Sequence, residues 1–140
     1  TLAAMDIADR ILLVTQLNVP ALRSTQRSLA ICRRLGYPND KTCVVVNRYQ
    51  SGEVLSLTDA TDVLKCDVFW KLPNDYRTAA GALMKGVPVA EFDPRSKLAW
   101  SYSQLAARLA GVGEVARNGN GAHRASGRSL RALLGMKKRA

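Results

Sequence analysis

The sequence has little of what most enzyme sites are built from. It holds a single histidine, His123, and three cysteines, Cys32, Cys43 and Cys66, with no CxxC spacing and no histidine close to any of them. That excludes a zinc site of the usual Cys/His pattern and a thioredoxin-like redox pair. The cysteines lie in apolar segments and are expected as buried, reduced thiols of a cytosolic protein. No paired carboxylates and no Ser/His/Asp set can be assembled. Apolar runs such as Ile11–Val14 and Cys43–Val46 are strand-sized, far below the roughly 20 residues a membrane span needs. The first residues, Thr1-Leu2-Ala3-Ala4-Met5-Asp6, lack the basic region and apolar stretch of a signal peptide, and also an initiator methionine. A piece of a longer chain is the expectation.

Acid is missing from one end. All eleven acids lie at or before Glu114, whereas seven cations follow from Arg117 onward. The remainder carries fourteen cations against eleven acids, so the net charge of +10 belongs mainly to an appendage. The absence with the largest consequence is the glycine-rich phosphate loop GxxxxGK[ST]. Successive backbone N–H groups and a lysine must surround the phosphates, and no stretch supplies them. Gly81-Ala82-Leu83-Met84-Lys85-Gly86 has glycine and lysine in the wrong order, inside or at the end of a helical pattern. The chain alone is not expected to hydrolyse a nucleotide.

What is present alternates regularly. Arg10–Gln16 is an aliphatic run without helical period, as in a parallel strand covered on both faces. Pro20 opens a helix with Asn18 as its cap, Leu22, Leu29, Cys32 and Leu35 as an apolar stripe, and Gly36 and Pro38 as its stop. Lys41–Asn47 is a second strand. Ser56-Leu57-Thr58-Asp59 resembles a capping box and leads into a short helix with Ala60, Val63 and Leu64. Val68–Leu72 is a third strand ending at Pro73. Asn74 or Asp75 caps a helix carrying Tyr76, Ala79, Ala80 and Leu83, which Gly86 ends. Val87–Ala90 is expected as a short edge strand weakened by Pro88. Asp93-Pro94 starts the last helix, with Leu98, Tyr102, Leu105, Ala106 and Leu109 inward. The pattern predicts an α/β fold, a mostly parallel sheet with flanking helices. Residues 112–127 read as a flexible linker.

Ligands of such sheets bind beyond the carboxyl ends of the strands. That rule nominates the loops Thr15–Asn18, Asn47–Gln50 and Pro73–Arg77. Asn47 stands out, because a carboxamide both donates to and accepts from a purine edge, the pairing suited to adenine. Beside this stands the plainer reading of Asn47 as a turn residue bonded to its own backbone, and of Asn74 and Asp75 as helix caps. Arg48, Arg77 and Arg95 read as solvated or paired with acids. In the tail at 128–140, Leu130, Leu133, Leu134 and Met136 are spaced against Arg128, Arg131, Lys137, Lys138 and Arg139. That is a short basic amphipathic pattern suited to an anionic membrane surface, to nucleic acid, or to solubilising alone.

The pieces ADRILLVTQ, the arginine-bearing helix Pro20–Arg34, VVVNRY, LPNDYRTA and the later G-x-P-V and PRS resemble the C-terminal half of the MinD/ParA-type P-loop ATPase domain. The similarity runs over about Ala8–Ala110 and is greatest to the CpaE/TadZ pilus-assembly branch. Asn18-Val19-Pro20-Ala21 stands where MinD proper has a Pro-Glu pair. The resemblance implies that residues 1–111 are half of a Rossmann-like three-layer domain. Asn47, Arg48, Pro73, Asn74 and Asp75 would border the adenine, and the phosphate loop and magnesium aspartates would lie in the other half. It implies ATP and Mg as cofactors of the parent protein, a homodimer, the pilus-assembly machinery as partner, and a cytoplasmic place, peripheral at the inner membrane or the cell pole. Membrane contact would run through Leu130, Leu133, Leu134, Arg131, Lys137 and Lys138. The alternatives are a ParA/MinD-type partitioning or cell-division ATPase fragment, with DNA as a less favoured partner, and a non-catalytic protein-interaction module. The strand matching Ile11–Val14 neighbours the phosphate-loop strand in that family, so here an apolar edge is expected to be bare.

Overall fold

The computed structural model describes residues 2–111, and the linker and tail expectations at 112–140 lie outside them. The elements are α1 (Leu2–Ile7), β1 (Ile11–Thr15), α2 (Val19–Arg34), β2 (Thr42–Tyr49), α3 (Leu57–Leu64), β3 (Val68–Pro73), α4 (Tyr76–Lys85), α5 (Val89–Phe92) and α6 (Lys97–Leu109). The three strands form one parallel sheet in the order β1-β2-β3, with Ile11 opposite Thr42 and Val44 opposite Val68. None of the described helices is long and apolar enough to cross a membrane.

Local chemistry sets the element boundaries. Asn18 Oδ1 accepts from Ala21 N at 2.9 Å and starts α2, with Pro20 in its first turn. Before α3, Ser56 N donates to Asp59 Oδ2 at 2.8 Å while Asp59 N donates to Ser56 Oγ at 3.1 Å, a complete capping box with aspartate. Asp75 Oδ1 accepts from Thr78 N at the start of α4, and Gly86 leaves that helix at φ 65°. The Gly81–Gly86 stretch is therefore helix and cap. An unanticipated α1 is fastened to the turn after α2, where Tyr37 Oη donates to Asp6 and Lys41 Nζ donates to Asp6 O at 3.0 Å. The bond to Asp6 is the main reason the Tyr37 pKa is pushed up to about 12.

The core forms around β2, the middle strand. Val44 and Val46 pack on one face with Leu22 and Leu29 of α2 and Ala60 and Leu64 of α3. Val45 packs on the other with Leu72 and with Leu98 and Leu105 of α6. Each such valine contributes about 1.5–3 kcal/mol on leaving water.

Several sequence expectations need correction. Val87–Ala90 is not a strand. Pro88 O accepts from Glu91 N and Phe92 N, which winds the segment into α5. Helix α6 starts at Lys97 with Ser96 as cap, and Tyr102 faces outward while Ser101 and Gln104 are buried. The burial follows 98, 101 and 105, because Ser101 bonds β3. Leu35 and Val63 are also exposed, and α4 buries Thr78 and Ala82 rather than Tyr76 or Leu83. Cys32 and Cys43 are buried free thiols, but Cys66 is only half-buried. Strand β1 is covered on one face only among the described residues: Leu13 meets the core while Leu12 and Val14 are 38% and 62% exposed.

Ile11 N donates to Lys41 O, so the alternation of the strand turns the backbone of Leu12 and Val14 away from β2. With their side chains exposed as well, β1 is the apolar open edge, and the chain is expected to self-associate at high concentration. Light scattering on the chain and on Val14→Lys should find a larger species only for the former; a clean monomer for both would contradict it. At Gly81 an added Cβ would lie 2.3 Å from Phe92 Cζ. Gly81→Ala is expected to destabilise by about 1–2 kcal/mol in urea unfolding despite the helix preference of alanine, with a smaller cost in a Phe92→Leu background. The Ser56 bonds, the backbone donor foremost, hold the Asp59 carboxyl below its ordinary 3.8. The stabilisation is present above that value and lost as pH falls through the lower folded-state pKa. Asp59→Asn should therefore lower Tm at pH 7, the gap closing as the medium is taken below 3.8.

Candidate functional site

Parallel crossovers bring the carboxyl ends of all three strands to one rim. Thr15 closes β1, buried, its hydroxyl directed to Gln16 O at 3.5 Å. Together with Val14, Gln16, Asn18, Pro20 and Asn47 it lines an open cleft of about 480 Å3. Two of the three nominated loops therefore meet at one place.

Asn47 is not the end of its strand, which continues to Tyr49. The register slips between Val46 and Tyr49, and Arg48 sits at φ 55°, a left-handed backbone that arginine rarely adopts. Asn47 Oδ1 accepts from Arg48 N at 2.9 Å and so supports this bulge. The plain reading of Asn47 as a residue bonded to its own backbone thus describes half of the side chain. Its Nδ2 has no partner among the described residues, and the residue lines the cleft.

The third loop lies on the other side of β2. Asn74 N donates to Tyr49 O at 3.0 Å, which fastens the loop after β3 to the end of β2. Asp75 is used as a helix cap, accepting from Thr78 N at 3.1 Å and from Thr78 Oγ1 at 2.8 Å. Pro73 lines a separate groove with Tyr49 and residues of α6. Of the five nominated residues, Asn47 faces the cleft and Arg48, next to it in the chain, is exposed, while Asn74 is bonded to Tyr49 O, Pro73 lines the separate groove and Asp75 caps α4.

At the opposite ends of the strands the three cysteines line one cavity of about 450 Å3 with Arg10, Arg33 and Lys65. Burial pushes the Cys66 thiol pKa up, against the smaller opposing pull of Arg33. That disfavours the thiolate a nucleophile requires. Among the described residues no group of His, Cys, Asp and Glu is placed to hold a metal ion. Sequence reasoning missed the groove along β3, whose walls come from side chains some 30 positions apart. The only signal for it was the unusual clustering of aromatic and cationic residues in Phe69-Trp70-Lys71 and Lys97–Trp100.

No protein-family model matches the chain. In sequence it is similar to the septum site-determining protein MinD of Thermotoga maritima, 27% identical over 116 residues. That alignment covers 79% of this chain and 42% of the relative, so the chain spans about two fifths of the protein it matches. In structure it is similar to the MinD cell division protein of Aquifex aeolicus, with a TM-score of 0.69 at 24% identity over 79% of this chain and 47% of that one. It is also similar to a ParA family ATPase from Chlorobium tepidum, with a TM-score of 0.66 at 19% identity over 71% and 41%. The described residues have part of the fold of those solved structures, and in sequence the chain is similar to the Thermotoga MinD protein over about two fifths of that protein's length.

Proposed function

We propose that this chain forms the base-facing wall of the nucleotide site in a MinD/ParA-type ATPase, and that the parent acts as a localisation and assembly factor of the CpaE/TadZ kind for a Flp/Tad type IV pilus. The observation that carries the nucleotide reading is the cleft at the carboxyl rim, where Thr15, Asn18 and Asn47 meet and Asn47 Nδ2 has no partner among the described residues. The residues fit the base of ATP. Asn47 Nδ2 donates to a ring nitrogen of adenine, and Oδ1 retains a second lone pair for the amino group. Arg48 adjoins Asn47 in the chain, and the resemblance adds Asn74 from the loop after β3. They do not fit the phosphates or magnesium, since the sequence has no GxxxxGK[ST] and the described residues hold no carboxylate group suited to a cation. Those parts belong to the other half of the domain in this reading, and the chain alone does not turn over ATP.

The pilus assignment is supported by the sequence pieces around β1 to α4 and by Asn18-Val19-Pro20-Ala21 where MinD proper has Pro-Glu. A dimer of the parent, and contact of the 128–140 tail with an anionic membrane, accompany it. A second reading, a partitioning or division-site ATPase, is favoured by the match to the Thermotoga protein.

Nuclear magnetic resonance tests the nucleotide reading. Millimolar adenosine is expected to shift the amide signals of Thr15, Asn47, Arg48 and Asn74, and guanosine to shift them less. Asn47→Ala should weaken adenosine about tenfold, roughly 1.4 kcal/mol. Shifts confined to other surfaces, or unchanged affinity in the variant, would refute it.

A further inference from the structure

The edge of the sheet formed by β3 is already occupied by the chain itself. Arg108 Nη1 donates to Phe69 O at 2.9 Å and Ser101 Oγ to Lys71 O at 3.4 Å, both reaching across from α6. Trp70 Nε1 donates to Ser101 Oγ at 3.0 Å. With two carbonyls of β3 engaged in this way, strand addition is blocked. What remains beside it is a groove of about 620 Å3, extending from Tyr49 and Pro73 to Arg108.

Its chemistry is one-sided. Leu57, Val68, Phe69 and Trp100 give it an apolar interior, and Lys71, Lys97 and Arg108 are its charged members, with no acid among the described residues of the lining. Lys71 Nζ lies 4.6 Å from the centre of the Tyr49 ring, and the Arg108 guanidinium lies 4.3 Å from that of Phe69. The rings hold both cations in place without consuming their donors. Arg108 has spent one N–H on Phe69 O, and Lys71 retains its ammonium hydrogens. Cations fixed in this way beside an apolar pocket are preorganised carboxylate receptors.

We propose that this groove docks an extended acidic segment of a partner protein, an apolar or aromatic side chain entering beside Trp100 while flanking carboxylates meet Lys71, Lys97 and Arg108. Charge complementarity selects this occupant. The chain's own residues beyond Glu114 are cationic without acid, so their charge matches that of the groove and does not complement it. A single-stranded nucleic acid requires successive open ring faces, and here Tyr49, Phe69 and Trp70 already carry cations over them. The inference stands apart from the nucleotide reading.

Both tryptophans of the chain, Trp70 and Trp100, line the groove, so intrinsic fluorescence reports its occupancy directly. The probe is a library of capped octapeptides with glutamate flanks and varied apolar or aromatic centres, titrated against the full chain. The controls are the same peptides with lysine flanks, with alanine centres, and an oligothymidylate. We expect a saturable emission change with glutamate-flanked members, weakened by salt, and none with the lysine or alanine forms. Lys97→Glu should raise Kd about tenfold. It leaves the fold intact, because an acid suits the first turn of α6. Absence of binding by every glutamate-flanked member, equal binding of the lysine forms, a response to oligothymidylate alone, or an unchanged Kd in Lys97→Glu would each overturn the proposal.

Discussion

Burial of β2 on both faces and along both edges is the constraint on which the rest of the molecule depends. Val44, Val45 and Val46 are almost wholly removed from water, each pointing into a different helical layer from its neighbour. A one-residue slip would turn every one of them into the wrong layer. The register with β1 and β3 is therefore fixed, and with it the height at which each strand ends. The height of the rim where Thr15 and Asn47 meet follows from apolar packing several residues away.

Where that packing stops, the backbone becomes irregular. Beyond Val46 the ladder slips, Arg48 adopts a left-handed conformation, and Asn47 turns one carboxamide oxygen to steady it. The position that sequence chemistry nominates for a purine is also the one where regular pairing is relaxed. The bond from Arg48 N orients the carboxamide there, and its Nδ2 has no partner among the described residues.

The strands and caps were legible in the sequence because each rests on a short, local cause. A β-branched run such as Thr42–Val46 has few alternatives, Ser56 and Asp59 satisfy one another across a single turn, and Asn18 and Asp75 do the same for their helices. The failures have a common cause too. The inward face of α4 is decided by the Thr78 hydroxyl bonding to Asp75 and by the close approach of Gly81 to Phe92, not by its larger apolar residues. Ser101 is buried because it joins α6 to β3, accepting from Trp70 Nε1 and donating to Lys71 O, which displaces Tyr102 outward. At the candidate site, the choice of Asn47 over its neighbours could be made from chemistry alone. The division of Pro73 from the cleft could not, since it depends on how α6 crosses the sheet.

The two margins of the sheet are unequal, and that inequality limits how copies of the chain can add to one another. Growth into a filament requires each unit to offer a donor surface and a different acceptor surface, both open. Here one margin is filled by Arg108 and Ser101 of the same chain. Joining two copies through the other consumes it on both, so the product is a closed pair with two-fold symmetry and nothing left to extend.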